Sequence, residues 1–249
     1  ASVTVNALPN VDFTFSNICE GTQADFVNAS DPGTYNWNLG DGSSSTLTNV
    51  SHVYNTFGTY DVTLTVTNAS FCMSSLTQQI EVYDLPDFTL APSDVLCYGE
   101  STGSIVAAAQ GTPAAPWTLA LDGGTPQSSL TFNGLIAGTY DITVYDNNGC
   151  EFTVATTVNQ PSDTLGIQLN SVLDNLCNGD NSGVIDLIGT GGTGPYAYSV
   201  DGNPSVSSGL FNGLEAGDHD IQIVDANLCV FDTLITLAEP DTLVLTLTN

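Results

Sequence analysis

Six cysteines set at three near-equal intervals constrain this chain more than any other feature. Cys19 and Cys72 stand 53 residues apart, Cys97 and Cys150 again 53, and Cys177 and Cys229 52. Six cysteines admit 15 pairings. The recurring interval predicts one bridge inside each of three modules: Cys19–Cys72, Cys97–Cys150 and Cys177–Cys229. Each such bridge would close a loop of about 54 residues, worth roughly 4 kcal/mol in the chain-entropy model. Structural bridges imply an oxidising compartment. A thiolate metal site is not indicated, because neither Cys-x-x-Cys nor His-x-His spacing occurs.

The cysteines sit in repeated segments. Gly58-Thr59-Tyr60-Asp61-Val62 leads through a strand to Asn68 and Cys72. Gly138-Thr139-Tyr140-Asp141-Ile142 leads to Asp146-Asn147-Asn148-Gly149-Cys150, and Gly217-Asp218-His219-Asp220-Ile221 to Asp225-Ala226-Asn227-Leu228-Cys229. Each reads as a tight turn, an alternating strand, an Asn/Asp turn and a cysteine opening the next strand. Phe132-Asn133-Gly134-Leu135 matches Phe211-Asn212-Gly213-Leu214, and Cys97-Tyr98-Gly99-Glu100 matches Cys177-Asn178-Gly179-Asp180. The second and third segments are therefore internal repeats with a period of about 80 residues. Val, Thr and Ile dominate between 24 glycines and 11 prolines, a strand-and-turn composition. The Tyr that opens the strand in the first two segments, Tyr60 and Tyr140, resembles the tyrosine corner of immunoglobulin-like sandwiches.

The expected fold is all-β: tandem immunoglobulin-like β-sandwich modules in an elongated rod, joined by short Pro-containing linkers. The expected boundaries are the last strand of a preceding module at 1–9, modules at 10–84, 85–161 and 162–240, and the start of a following module at 241–249. Ser2-Val3-Thr4-Val5-Asn6-Ala7-Leu8-Pro9 resembles Gln79-Ile80-Glu81-Val82-Tyr83-Asp84-Leu85-Pro86, and Pro240-Asp241-Thr242-Leu243 resembles Pro161-Ser162-Asp163-Thr164-Leu165, so a longer array is expected on both sides. The first residues lack a charged and an apolar signal region, which is the expectation for a mature or excised chain.

The chain carries 27 acidic residues and no Lys or Arg. Side-chain ion pairs to Lys or Arg are excluded, and proteases that cut after those residues find no site. Nucleic acid and anionic membranes are excluded as expected partners, since no Lys or Arg is present to neutralise phosphate or form a polybasic patch. No run of about 18 apolar residues occurs, so direct membrane insertion by a helix is not expected.

Residues 10–84 resemble a polycystic kidney disease (PKD) domain. The resemblance rests on Trp37-Asn38-Leu39-Gly40-Asp41-Gly42, His52-Val53-Tyr54 and Gly58-Thr59-Tyr60 leading into Val62-Thr63-Leu64-Thr65-Val66. Residues 85–239 resemble two SprB-type repeats of the giant surface adhesins of gliding Bacteroidota. They do so through Cys-x-Gly-[Asp/Glu]-x-x-Gly, the Asn-Gly-Leu-x-Ala-Gly turn and the Asp-x-x-x-Cys ending. His219 stands where the pattern has Tyr and Leu228 where it has Gly, which is expected to weaken the corner and the turn of the last module. The resemblance implies a very long secreted polypeptide that leaves through the periplasm by a type IX route and is held at the cell surface. It would act in adhesion, gliding or filament formation, with neighbouring modules, polysaccharide or other copies of itself as partners.

No catalytic constellation is present: two separated histidines without Lys or Arg build neither a triad nor a phosphate clamp. The alternative is a set of non-catalytic accessory modules of a secreted polysaccharide hydrolase or protease; another is a fibre subunit that assembles by strand addition. Trp37, Tyr54, Tyr60, Trp117, Tyr140 and Tyr196 are expected in the cores. No cofactor is implied, but Glu100, Asp146, Asn147, Asp180 and Asp225 would gather hard oxygen donors for calcium if the bridges formed inside modules. Thr164, Thr233 and Thr242 lie in Asp-Thr-Leu triplets, which resemble the O-glycosylation site of exported Bacteroidota proteins.

Overall fold

The computed structural model describes residues 5–110 and 115–245. No helix lies among the described residues, so no helix is long and apolar enough to cross a membrane. Ala1–Thr4 and residues 246–249, parts of the two expected flanking segments, lie outside the described residues; Leu243, Val244 and Leu245 are exposed and in no strand.

The strands fall into three groups. The first comprises β1 (Phe13–Thr14), β2 (Ile18–Cys19), β3 (Gln23–Asn28), β4 (Thr34–Asn38), β5 (Ser44–Ser45), β6 (Val50–Val53), β7 (Gly58–Thr67) and β8 (Met73–Tyr83). They form two sheets, ordered β1-β3-β6 and β2-β8-β7-β4-β5. Alternation builds the layer between them: β7 turns Val62, Leu64 and Val66 inward while Thr63 and Thr65 face out to Thr77 and Ser75 of β8. Phe13, Phe26 and Trp37 fill the centre, with Phe13 edge-on to Trp37 at 5.1 Å between ring centroids.

The second group comprises β9 (Phe88–Ser93), β10 (Gly103–Ala109), β11 (Thr118–Leu121), β12 (Thr131–Leu135), β13 (Gly138–Tyr145) and β14 (Glu151–Val158). The third comprises β15 (Gly166–Leu173), β16 (Gly183–Thr190), β17 (Ala197–Val200), β18 (Leu210–Leu214), β19 (Gly217–Val224) and β20 (Val230–Leu237). Their sheet orders correspond strand for strand: β12-β10-β9 with β11-β13-β14, and β18-β16-β15 with β17-β19-β20. The third core is mainly aliphatic, built on Ile185, Leu187, Ile221, Ile223 and Leu237. Both groups contain an Asp-Gly hairpin of the primed kind. Asp122 and Gly123 have φ of 48° and 69°, Asp201 and Gly202 of 51° and 70°, and the i+3 amides close back on Leu121 and Val200.

By compactness the described chain divides into two units: residues 1–89, 107–130 and 141–155, and residues 90–106, 131–140 and 156–249. The sheet β11-β13-β14 falls mainly in the first and the sheet β12-β10-β9 mainly in the second.

Candidate functional site: the cysteine-bearing turns

Two kinds of turn present the cysteines, and each recurs three times. The late kind precedes Cys72, Cys150 and Cys229. Its first residue is Asn68, Asp146 or Asp225, whose backbone N–H donates to the cysteine carbonyl at 3.0, 2.9 and 3.0 Å. The side-chain Oδ1 of that residue accepts two amides. For Asn68 these are Ser70 at 3.0 Å and Cys72 at 3.1 Å; for Asp146, Asn148 at 2.9 Å and Cys150 at 2.8 Å; for Asp225, Asn227 at 2.8 Å and Cys229 at 2.9 Å. The residue before the cysteine is left-handed in every case: Phe71 at φ 63°, Gly149 at 84° and Leu228 at 66°. Glycine meets that requirement without steric cost, yet Leu228 adopts it too, and the turn expected to weaken keeps its hydrogen bonds. The early kind begins at Cys19, Cys97 or Cys177. The cysteine carbonyl accepts the i+3 amide at 3.1, 3.1 and 3.3 Å, with Gly21, Gly99 and Gly179 at φ between 74° and 77°.

The bridges do not form inside the expected modules. Cys19 is bonded to Cys150 and Cys97 to Cys229, with Cα separations of 5.6 and 5.7 Å, while Cys72 and Cys177 are free. Cys19–Cys72, Cys97–Cys150 and Cys177–Cys229 are therefore corrected. The cause is strand length. Cys19 pairs in parallel with Tyr83, at the end of β8, whereas Cys72 immediately precedes its beginning. Over eleven residues at 3.3 Å each, those ends stand on the order of 35 Å apart, and a disulfide needs Cα atoms within about 7 Å. The third group repeats this: the Cys177 turn is held at the exit of β20 by Asn175 N–H to Ala238 O (3.0 Å) and Gly179 N–H to Glu239 Oε2 (2.6 Å), while Cys229 opens that strand. Each strand group thus carries an early cysteine at one pole and a late cysteine at the other, and bridges join an early pole to the late pole of the group that follows. At the second joint, the Asn227 amide also donates to Leu96 O at 2.9 Å.

This register disperses the expected calcium donors. Asp146 and Asp225 each hold two backbone amides on Oδ1, and Asp225 accepts a third, from Thr193 N–H at 2.8 Å, on Oδ2. Asp180 accepts Cys177 N–H at 3.0 Å and both the N–H and hydroxyl of Ser182; burial pushes its carboxyl up, but these hydrogen bonds outweigh that and hold it below its usual value. Glu100 borders a cleft of about 670 Å³ beside the Cys97–Cys229 bridge, and Asn147 is exposed at a turn tip. Among the described residues no three of His, Cys, Asp and Glu gather as a metal site. Asp146, Asp180 and Asp225 are turn caps, because each accepts the amides that its cysteine turn leaves without a partner.

The corner residues behave alike. Tyr60 Oη donates to Thr56 O and Tyr140 Oη to Ile136 O, both at 2.8 Å, and His219 Nε2 donates to Glu215 O at 2.9 Å. His219 therefore preserves the corner instead of weakening it. Its Nδ1 faces Asp201 Oδ2 at 2.8 Å, so both ring nitrogens meet acceptors, as a protonated imidazolium would require. Burial pushes the ring's pKa down, but the hydrogen bonds and charge of Asp201 and the Glu215 carbonyl outweigh this and raise it. In the first module His52 Nε2 meets Asp41 Oδ2 at 2.6 Å and Tyr54 Oη donates to Leu39 O at 2.8 Å. Burial, helped by Asp41 and Tyr60, pushes the Tyr54 phenol up and keeps it a donor.

Of the expected core aromatics, Trp37, Tyr54 and Trp117 are buried; Tyr60, Tyr140 and Tyr196 are half-buried, with their hydroxyls on backbone carbonyls. Thr164 and Thr242 are exposed, whereas Thr233 lies within β20, opposite Ile221.

The PKD-domain family model matches residues 6–83, and the SprB-repeat model matches 169–205. The chain carries a PKD domain followed by an SprB repeat. Its PKD domain is similar to the PKD1 domain of the Vibrio cholerae metalloprotease PrtV: 30% identity, covering 30% of this chain and 98% of that one, TM-score 0.28. It is similar also to the PKD1 domain of Vibrio anguillarum Epp: 27% identity, covering 32% of this chain and 99% of that one, TM-score 0.29. Three N-terminal domains of the bacteriophage RB49 outer capsid protein Hoc align over 94% of this chain and 99% of theirs, at 9% identity and TM-score 0.38. A search of curated proteins returns no match. PKD domains and SprB repeats are typically non-catalytic, so the chain is an adhesive or accessory module of an extracellular or cell-surface protein.

Proposed function

We propose that this chain is a stalk segment of a very large cell-surface adhesin or surface filament, exported through the periplasm by a type IX route. The modules are 10–84, 85–161 and 162–240, and further copies extend the array. The observation that carries this reading is the bonding of each module to the next through Cys19–Cys150 and Cys97–Cys229, on top of the polypeptide link. A double covalent connection suits a chain that transmits tension and resists proteolysis, and the lack of Lys and Arg removes the commonest cleavage sites. Its partners are neighbouring modules, with extracellular polysaccharide or other copies of the array met through exposed loops. Thr164 and Thr242 are proposed glycan sites, tested by hexose increments in the intact mass of native material.

The deciding measurement is the size of the parent polypeptide, read with an antibody to this fragment on intact and surface-shaved cells. A band of several hundred kilodaltons exposed on cells supports the stalk. A secreted band near one hundred kilodaltons overturns it in favour of accessory modules on an enzyme, a reading that the likeness to the PKD1 domain of a Vibrio metalloprotease keeps in view.

A further inference from the structure

Cys72 and Cys177 are the two cysteines outside the bridges, and they are of opposite kinds. Cys72 follows a late turn and Cys177 opens an early one. At the equivalent positions of the other modules, the same late turn carries the bonded Cys150 and Cys229, and the same early turn the bonded Cys19 and Cys97. The turns that present the free thiols have the geometry of the bonded ones, down to the two amides on Asn68 Oδ1 and the left-handed Phe71. Cys177 is exposed and Cys72 half-buried. The separation of poles along β8 and β20 keeps each from the other cysteine of its own module.

We propose that Cys72 and Cys177 are the open ends of a one-step disulfide ladder, Cys72 bonding the early cysteine of a module before it and Cys177 the late cysteine of a module after it. The partner is a module of the same chemistry, in the same polypeptide or in a second copy of this chain; in the second case, Cys177 of one copy bonds Cys72 of the next. Each bond forms by thiol–disulfide exchange: two thiols lose two protons and pass two electrons to a disulfide oxidant such as oxidised glutathione, which leaves as thiols. The ladder does not rest on the adhesin reading, since accessory modules of an enzyme would be linked in the same way.

Complementarity tests it. Cys72→Ser and Cys177→Ser variants of the 249-residue chain are oxidised with glutathione disulfide, separately and mixed. The mixture should give a non-reducible-by-heat, thiol-sensitive heterodimer whose acidic-site protease digest contains a Cys72–Cys177 peptide, at least tenfold above dimer in either variant alone. Equal dimer in the separate samples, no dimer in the mixture, or an internal Cys72–Cys177 bond in the unmutated chain would overturn the ladder. Native surface material, alkylated before reduction, identifies the source. Cys177 linked to a cysteine outside this sequence points to a neighbouring module of the parent, Cys177 linked to Cys72 to a second copy, and both thiols alkylated without reduction also overturns the proposal.

Discussion

The PKD domain and the third module use the same turns around different interiors. The PKD domain has a five-stranded sheet and a cluster of rings, with Phe13, Phe15, Phe26 and Trp37 in contact at 5.1 to 6.4 Å between centroids. The third module has two three-stranded sheets and a core of Ile, Leu and Val around Tyr198. Its late cysteine turn and its corner are held by hydrogen bonds of the buried Asp225 and His219, and its Asp-Gly hairpin by the exposed Asp201. The difference teaches that one set of turns and corners closes equally well over a cluster of rings and over a layer of branched aliphatic side chains, so the turns are set by local hydrogen bonds and the core by volume.

The largest effect should come from the ring cluster. Trp37→Ala is expected to destabilise the PKD domain by about 4 kcal/mol, combining lost burial with a cavity, read by urea denaturation. Loss of much less than half of that would mean the aromatic core is not what distinguishes the PKD domain. Next, the Cys97→Ser/Cys229→Ser pair should lower the stability of the third module by about 3 kcal/mol, while the Trp37 environment, followed by fluorescence, keeps its midpoint. The loops 19–150 and 97–229 overlap in sequence, so removing both bridges should cost less than the sum of the two removals.

A third test isolates His219. Its folded-state pKa is raised, so its contribution is fully present below the unfolded value near 6.5 and is lost as pH rises through the folded value. The melting temperature of the third module should therefore fall between pH 6 and pH 8 relative to that of His219→Tyr, which keeps the corner donor without titrating there. A constant difference between the two across that window would remove the charged pair with Asp201 from the account. The smallest effect is expected from calcium: exchanging EDTA for millimolar calcium should leave the melting temperature of every module unchanged, and a rise of several degrees would show that Asp146, Asp180 or Asp225 does more than cap turns.

Much of this was legible in the residues. Strand alternation in Val62-Thr63-Leu64-Thr65-Val66 and the corner at Tyr60 and Tyr140 follow from local rules that neighbouring residues satisfy by themselves. The Asp-x-x-x-Cys turn was equally visible, but its chemistry was open, because a carboxylate capping two amides and one awaiting a cation have the same sequence. His219 and Leu228 looked like defects and are substitutes. A ring nitrogen reaches the carbonyl that a phenol reaches elsewhere, and the turn's hydrogen bonds hold a leucine in a left-handed conformation.

The sequence by itself determined the all-β class, the repeat and the two kinds of cysteine turn, since each is written in residues close together along the chain. Which cysteine meets which was decided by the tertiary structure. In a periodic chain the interval from an early to a late cysteine stays regular whether the partner lies in the same module or the next, at 131 and 132 residues for the bridges that form. Spacing therefore cannot choose between them. The choice was made by the strand that separates the two poles of a module by several times the reach of a disulfide.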